Sequence, residues 1–414
     1  MRLPEDFIRT TTQLMGPERF ARYMQSFNEE TPVSIRLNPM KASGLQVIDG
    51  EQVPWCRDGF YLKSRPNFTF DPLFHAGCYY VQEAGSMFID EVLRQHLSLI
   101  THHSSLITSL DLCAAPGGKS TLLRAVLPED CVLYSNEPIQ KRANILLENI
   151  QKWGYKNHYV TNLYPRDYRK AKMKFDLILC DVPCSGEGMF RKDEATIQEW
   201  SLQNVEKCWQ LQRTIVSDAW QCLNEGGILI YSTCTFNIKE NEENIRWMME
   251  ELGAIVLPVE TKPEWNITGS LLEGFNEPVY RFIPGISRSE GLFVCVLRKK
   301  GTLTSGGSKN SRKSPIPVLT TPFPHREGSG ESHDSLFDLS YPQALSYLRG
   351  EALILPPDTP RGQVTVCFMG EPLGLVKNIG NRANNLYPKE WRIKTTHLPH
   401  DYEPVLQPIE APSE

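Results

Sequence analysis

Residues 106 to 298 predict an α/β core built on a mainly parallel sheet, and three observations carry that reading. Apolar runs of strand length alternate there with segments long enough for helices. A small-residue loop, DLCAAPGGKST, joins one such run to an amphipathic stretch, the place where an open sheet keeps its ligand. The flanking stretches differ in composition, and 414 residues are too many for one domain of ordinary size.

The chain opens with PEDFIRTTTQLMGPERFARYMQSF, apolar residues at helical spacing broken at Gly16-Pro17, followed by VSIRLNP, a strand with a proline stop. FHAGCYYVQEAGSMFIDEVLRQHL closes that segment with a helix. The core strands are expected in LITSLDLCAA, CVLYSNE, NHYVTN, FDLILCDVP, GGILIYSTC and FVCVLRK. The last follows a long acidic insertion and is expected to pair antiparallel at an edge. From Lys299 the composition turns to Ser, Gly, Pro and Thr, that of a linker. SLFDLSYPQALSYLRGEALIL then predicts a helix entering a strand, and GQVTVCFMGEPLGLVKNIGNRANNLYPKEWRI predicts short strands with turns. The expected division is 1–105, an α+β segment; 106–298, the core; 299–335, a flexible linker; and 336–414, a small mixed domain.

Composition narrows the chemistry. With 40% hydrophobic, 10% aromatic and 22% charged residues, neither disorder nor a fibre is expected. Eleven cysteines contain no CxxC pair, so neither a disulfide framework nor a metal site is predicted. The N-terminus lacks a basic start and apolar run, and no stretch reaches about 18 consecutive apolar residues, so a cytoplasmic protein without a membrane anchor is expected. A net charge of −5 argues mildly against nucleic acid, but it averages unlike regions. Lys141 to Lys174 holds nine Lys or Arg against two acids, Phe236 to Val294 ten acids against five bases, and Arg361 to His400 six bases against two acids.

The loop Cys113, Ala114, Ala115, Pro116, Gly117, Gly118 and Lys119 is not a P-loop, because the glycine that motif needs five residues before GK is Cys113. Small residues at a strand-to-helix junction still let a ligand approach the backbone and the helix amides. Glu137 ends the next strand about 20 residues on, where a carboxylate accepts both ribose hydroxyl hydrogens. The ligand is then a nucleoside without an obligatory pyrophosphate, unless Glu137 is merely a solvated strand-end acid. Cys184 and Cys234 fall just past strand ends, among polar neighbours, and stand out as reactive candidates. Cys113, Cys131, Cys180, Cys208, Cys222, Cys295 and Cys367 read as packing residues.

DLCAAPGGKS, DVPCSGEGMFR and YSTCTFNIKENEENI together resemble the RNA 5-methylcytosine methyltransferases, a family that uses S-adenosylmethionine. SIRLNP and YYVQEAGSMF resemble that family's N-terminal segment, and LGLVKNIGNRANNLYPKEWRI is similar to its bacterial RsmF-type branch. The resemblance implies a Rossmann-like methyltransferase core, an N-terminal RNA-binding helper segment and a C-terminal PUA-like RNA-binding domain. It implies that Cys234 adds to carbon 6 of cytosine and that Cys184 serves product release, since carbon 5 is too poor a nucleophile to take a methyl group unaided. Asp181 matches a family acid beside cofactor and base, although capping the turn is its plainer role. Lys119 belongs to the cofactor loop.

One position departs from the family. Its usual acidic adenine contact is Tyr164 here, with Asn162, Asp167 or ring stacking as substitutes. RNA, ribosomal RNA or the small ribosomal subunit, is the implied partner of a monomer, and Lys377, Arg382, Lys389 and Arg392 are candidate phosphate contacts. A transfer-RNA substrate and a non-catalytic RNA-binding or assembly factor are the competing readings.

Overall fold

A computed structural model describes residues 3–101, 106–301, 316–319, 336–395 and 397–409. The core strands are β1 (Thr108–Asp111), β2 (Val132–Asn136), β3 (His158–Thr161), β4 (Phe175–Asp181), β5 (Leu223–Thr233), β6 (Ile255–Leu257), β7 (Tyr280–Phe282) and β8 (Leu292–Arg298). They form one sheet of order β6-β8-β5-β4-β1-β2-β3, with β7 also paired to β8. β1 to β5 are mutually parallel and β8 runs antiparallel to β5. Strand order therefore reverses at β1, which opens a crevice at the carboxyl ends of β1 and β4.

The crossover helices are α1 (Gly118–Val126), α2 (Gln140–Trp153), α3 (Pro165–Lys170), α4 (Leu202–Cys222) and α5 (Glu242–Leu252). One sheet face packs Leu133, Leu177 and Ile230 on Leu122 and Leu123 of α1, and the other packs Ile178, Leu229 and Cys295 on Val216 and Ala219 of α4. Burial on both faces explains why β4 and β8 read as unbroken apolar runs. It also corrects the edge position expected for β8. A strand apolar on both sides needs cover on both sides, and β8 lies inside, between β5 and β6. β1 is shorter than its apolar run, because the strand stops at Asp111 and LCAA enters the loop.

Residues 33 to 81 form an antiparallel sheet of Glu51–Gln52, Gly59–Leu62, Val33–Leu37 and Tyr79–Val81. The C-terminal region forms a mixed sheet from Leu336–Asp338, Gly362–Phe368, Glu371–Asn378 and Ala383–Asn385, the first pair parallel and the others antiparallel, with the helix Tyr341–Arg349 against it. The strand expected in EALIL reduces to a bridge from Leu353 to Ala383. Ile35, Leu73 and Tyr79 share one hydrophobic cluster with Leu345, Val366 and Val376, and Leu406–Pro408 pairs with Leu45–Val47. The first and last segments thus bury their apolar faces against each other.

Most of the expected linker lies outside the described residues. Within it, Ile316 is buried, and Leu319 donates its N–H to the Val160 carbonyl at 2.7 Å, which covers the outer edge of β3. That short piece is docked rather than free, because it carries Ile, Val and Leu amid the polar residues. Among the described residues no helix is long and apolar enough to cross a membrane.

Candidate active site

The sheet brings Asp111, Glu137, Asp181 and Cys234 to one rim, each at or just past the carboxyl end of its strand. Between Asp111 and α1 the loop turns through Gly117 at φ +122°, where a Cβ would press on Leu146 Cδ1 at 3.3 Å. Glycine is required by backbone conformation and by contact. Asp111 is fully buried; Oδ2 accepts from Ser120 Oγ at 2.6 Å, and Oδ1 has no hydrogen-bond partner among the described residues. Burial pushes this carboxyl up to about 7, against the Ser120 hydrogen bond.

Glu137 is 2% exposed, so it is not a solvated acid. Its Oε1 accepts the Ile139 N–H at 2.9 Å and its Oε2 faces Arg142 Nη1 at 3.3 Å. Of the substitutes for the missing acid, Asn162 is tied through Nδ2 to the Glu137 carbonyl at 2.7 Å, and Asp167 caps α3 by accepting the Tyr164 N–H at 3.0 Å. The Tyr164 ring is left 56% exposed, with the Arg166 guanidinium 5.1 Å from its centroid. The bonds of Asn162 and Asp167 use Nδ2 and Oδ2 respectively and leave Oδ1 of each out, so all three substitutes keep a group to offer an adenine.

Asp181 does not cap a turn. Its Oδ2 accepts from Lys119 Nζ at 2.8 Å and its Oδ1 from Ser232 Oγ at 2.6 Å, which ties the glycine loop to the strand leading to Cys234. Burial works against the Lys119 charge, and Asp181 overrides it, holding the ammonium above its usual range. Cys184 and Cys234, 50 residues apart in sequence, meet with their sulfurs 3.1 Å apart, and the Cys234 N–H reaches Cys184 Sγ at 3.3 Å. The hydrogen bond to Cys234, then burial, pushes the Cys184 thiol well up. All eleven cysteines are free. Cys131, Cys180, Cys222, Cys295 and Cys367 are buried as expected of packing residues, whereas Cys113 and Cys208 are half-buried.

Several residues of the site carry no signal in composition or spacing. Arg36, in SIRLNP, is buried over the Trp153 ring at 4.6 Å and donates to the Gly118 carbonyl at 3.2 Å and to Thr121 Oγ1 at 2.5 Å. The N-terminal sheet thereby grips the glycine loop. The helices Glu5–Met15 and Pro17–Gln25 insert Phe7 and Tyr23 behind the cysteines, with Phe7 4.9 Å from the Phe190 ring and Tyr23 5.4 Å from that of Phe236. Glu187 and Glu240, buried at 2% and 0% exposure, lie within the two cysteine motifs DVPCSGEGMFR and YSTCTFNIKENEENI.

Next to the Cys184 loop lies a cavity of about 490 Å³, lined by Ser34, Arg65, Gln82, Glu83, Arg191 and Lys192 among others. Arg65 and Lys192 are exposed on its walls, while Arg191 is paired with Glu290 at 2.9 Å. The basic run from Lys141 to Lys174 is exposed except for Lys152, which pairs with Glu148 at 2.6 Å. Lys377, Arg382 and Lys389 are exposed, but Arg392 is corrected as a phosphate contact. Its guanidinium packs on Gly350, where a Cβ would lie 2.3 Å from Nε, and Nη2 donates to the Tyr387 carbonyl at 3.4 Å. Charge in a sequence does not encode such packing.

Three family models match consecutive stretches of the chain. They are the N-terminal domain of 16S rRNA methyltransferase RsmF over residues 3–84, 16S rRNA methyltransferase RsmB/F over 97–298, and the methyltransferase RsmF PUA domain over 335–393. The ribosomal RNA small subunit methyltransferase F of Photobacterium profundum is 27% identical over 96% of this chain and 98% of its own length. That of Pectobacterium atrosepticum is 32% identical over 73% of this chain and 63% of its own. Among solved structures, a methyltransferase homolog protein from Pyrococcus horikoshii superposes with a TM-score of 0.57 at 25% identity, over 72% of this chain and 100% of that one. NSun6 from the same organism, solved with SFG, gives 0.58 at 20% identity, over 72% and 98%.

Proposed function

Because the chain belongs to the RsmB/F family of 16S rRNA methyltransferases, with RsmF-type N-terminal and PUA segments, we propose that it methylates carbon 5 of a cytosine in small-subunit ribosomal RNA through a covalent Cys234 adduct. The observation that carries the proposal is the thiol pair, with sulfurs 3.1 Å apart beside a carboxylate bonded to the glycine loop. The donor set fits S-adenosylmethionine. The loop turns from strand to helix at Gly117 without a side chain, the Glu137 carboxylate stands just past the end of the next strand where a ribose contact is expected, and the open Tyr164 ring offers a stacking face. Residues Cys113 to Lys119, Glu137 and Asp181 would hold it, and when bound it supplies an electrophilic methyl group.

The remaining chemistry belongs to the chain. Cys234, its proton already passed to solvent, adds to carbon 6 as the thiolate and later leaves as the thiolate, and the addition makes carbon 5 an enamine carbon able to accept the methyl group. Asp181, held by Lys119 and Ser232, meets the polar edge of the base and steadies the charge that develops as carbon 6 is attacked. Cys184 keeps its proton while it donates toward Cys234. Once the Cys234 sulfur is bonded to carbon, that acceptor is spent, and Cys184 gives its proton to solvent and accepts the carbon 5 proton. The carbon–sulfur bond then breaks and both thiols return to their starting forms.

The target base must leave its stack to reach Cys234, so a loop or single strand is the expected substrate form. Exposed Lys377, Arg382 and Lys389, and the run around Arg166 to Lys174, supply phosphate contacts that a net charge of −5 conceals. A cytoplasmic location fits a ribosomal substrate. The test is incubation with methyl-labelled cofactor and ribosomal or transfer RNA, followed by nucleoside analysis. Label in 5-methylcytidine from ribosomal RNA is expected; label in another nucleoside, or only in transfer RNA, overturns the proposal.

A further inference from the structure

This inference rests on the proposed roles of Cys184 and Cys234, whose loops leave β4 and β5 separately. Near the sulfurs few backbone bonds join them: Val182 N–H to the Ser232 carbonyl at 3.0 Å and Gly188 N–H to the Cys234 carbonyl at 2.8 Å. Two carboxylates cross between the loops in opposite directions. Glu187, from the Cys184 loop, accepts the N–H groups of Phe236 and Asn237 on Oε2 at 2.7 and 2.9 Å, and Trp200 Nε1 on Oε1 at 3.0 Å. Glu240, beyond Cys234, accepts the Ser185 N–H and Gln212 Nε2 on Oε2 at 3.0 and 2.6 Å. Asn237 Nδ2 reaches both acids, Glu240 Oε1 at 2.7 Å and Glu187 Oε1 at 3.2 Å.

We infer that Glu187 and Glu240 are positioning residues: crossed clamps that lock the two thiol loops together and fix the separation of Cys184 and Cys234. Neither touches sulfur, and each grips the backbone one to three residues beyond the other loop's cysteine. Both are buried, at 2% and 0% exposure, and all these donors are uncharged. Two carboxylates withdrawn from water without a bonded cation are costly where apolar packing would serve stability better, so their use here is geometric. Glycine contact adds to the constraint: a Cβ on Gly188 would lie 2.6 Å from Gly291 Cα and 2.9 Å from the Cys234 carbonyl. Every clamp oxygen faces a donor, so an amide in place of either acid sets N–H against N–H.

The test uses the full-length protein with Glu240→Ala, Glu240→Gln and Glu187→Gln. Diamide, an azo oxidant, is added to the RNA-free enzyme, and the rate of Cys184–Cys234 disulfide formation is read by peptide mass spectrometry. The two thiols give up two protons and two electrons, and the azo group takes up both. Glu240→Ala should slow the disulfide and lower kcat, each by at least about tenfold, with smaller losses for the two glutamine variants. Cofactor affinity should stay within about twofold and KM for RNA within about threefold, since neither site is touched. If Glu240→Ala does not fold, the glutamine variants give the same reading. Folded variants with an unchanged disulfide rate and kcat overturn the clamp, and so does an equal loss of disulfide rate and cofactor affinity. A wild type that transfers no methyl group yet shows this order of disulfide rates upholds the clamp and removes the proposed function.

Discussion

Replacing Asp181 by asparagine removes one charge and keeps the shape. In the wild type Oδ2 meets Lys119 Nζ at 2.8 Å and Oδ1 meets Ser232 Oγ at 2.6 Å, with the Lys119 and Asp181 side chains 14% and 31% exposed. Asparagine has one acceptor oxygen. If it serves Ser232, the amide nitrogen is turned on an ammonium that has little water to fall back on. Loss of a hydrogen bond between charged groups costs about 1.5–3 kcal/mol. At about 1.4 kcal/mol per tenfold, this is a roughly 10- to 150-fold fall in kcat/KM.

The loss should be shared between cofactor affinity, because Lys119 belongs to the glycine loop, and kcat, because Ser232 leads to Cys234. Without Asp181, burial loses its main opponent and the Lys119 ammonium loses its proton at lower pH, so the alkaline limb of the rate profile should move down. Calorimetry of cofactor binding and steady-state methyl transfer across pH would measure both. An Asp181→Asn enzyme within about twofold of wild type in Kd and kcat would refute the bridging role.

Phe7→Ala should lower the melting temperature and reduce kcat more than cofactor affinity, since a fully buried Phe beside Phe190 and Trp200 costs about 3–5 kcal/mol to truncate. Circular dichroism and turnover together check this; an unchanged kcat in a destabilised protein would limit those helices to stability. Arg65→Ala and Lys192→Ala, on the cavity beside the Cys184 loop, should each raise KM for RNA and reduce the slope of log affinity against log salt by about one. An unchanged slope would remove that cavity from the RNA path. Asp111, raised to about 7, keeps its proton when folded at pH values where the unfolded chain has lost it, so its contribution to stability is present at low pH and fades as pH rises from about 4 to about 7. The melting-temperature advantage of wild type over Asp111→Asn should therefore shrink between pH 5 and 8, and a constant gap would contradict the buried acid.

What the sequence revealed was local. Strand ends, the glycine loop and two cysteines in polar company are each set by a few adjacent residues, and the parallel order of the core follows from their alternation with helices. What it concealed depends on distance. Glu187 and Glu240 find the backbone N–H groups of the opposite cysteine loop 49 to 55 residues away, Arg36 reaches 82 residues to Gly118, and Leu406 pairs with Val47. No window of periodicity spans such contacts. Arg392 shows the converse, a basic residue in a basic run whose guanidinium is committed to packing. Tyr387, which lies among those basic residues in sequence, is buried in the core at 2% exposure.

The central claim is that Cys234 bonds to the target base and Cys184 releases it. Cys184→Ala should therefore accumulate a protein–RNA species, stable to denaturation, in the presence of cofactor and substrate RNA. After digestion, mass spectrometry should place a methylated cytosine on Cys234, and Cys184→Ala combined with Cys234→Ala should give none. Full turnover by Cys234→Ala, or an adduct that persists in the double variant, would contradict the account.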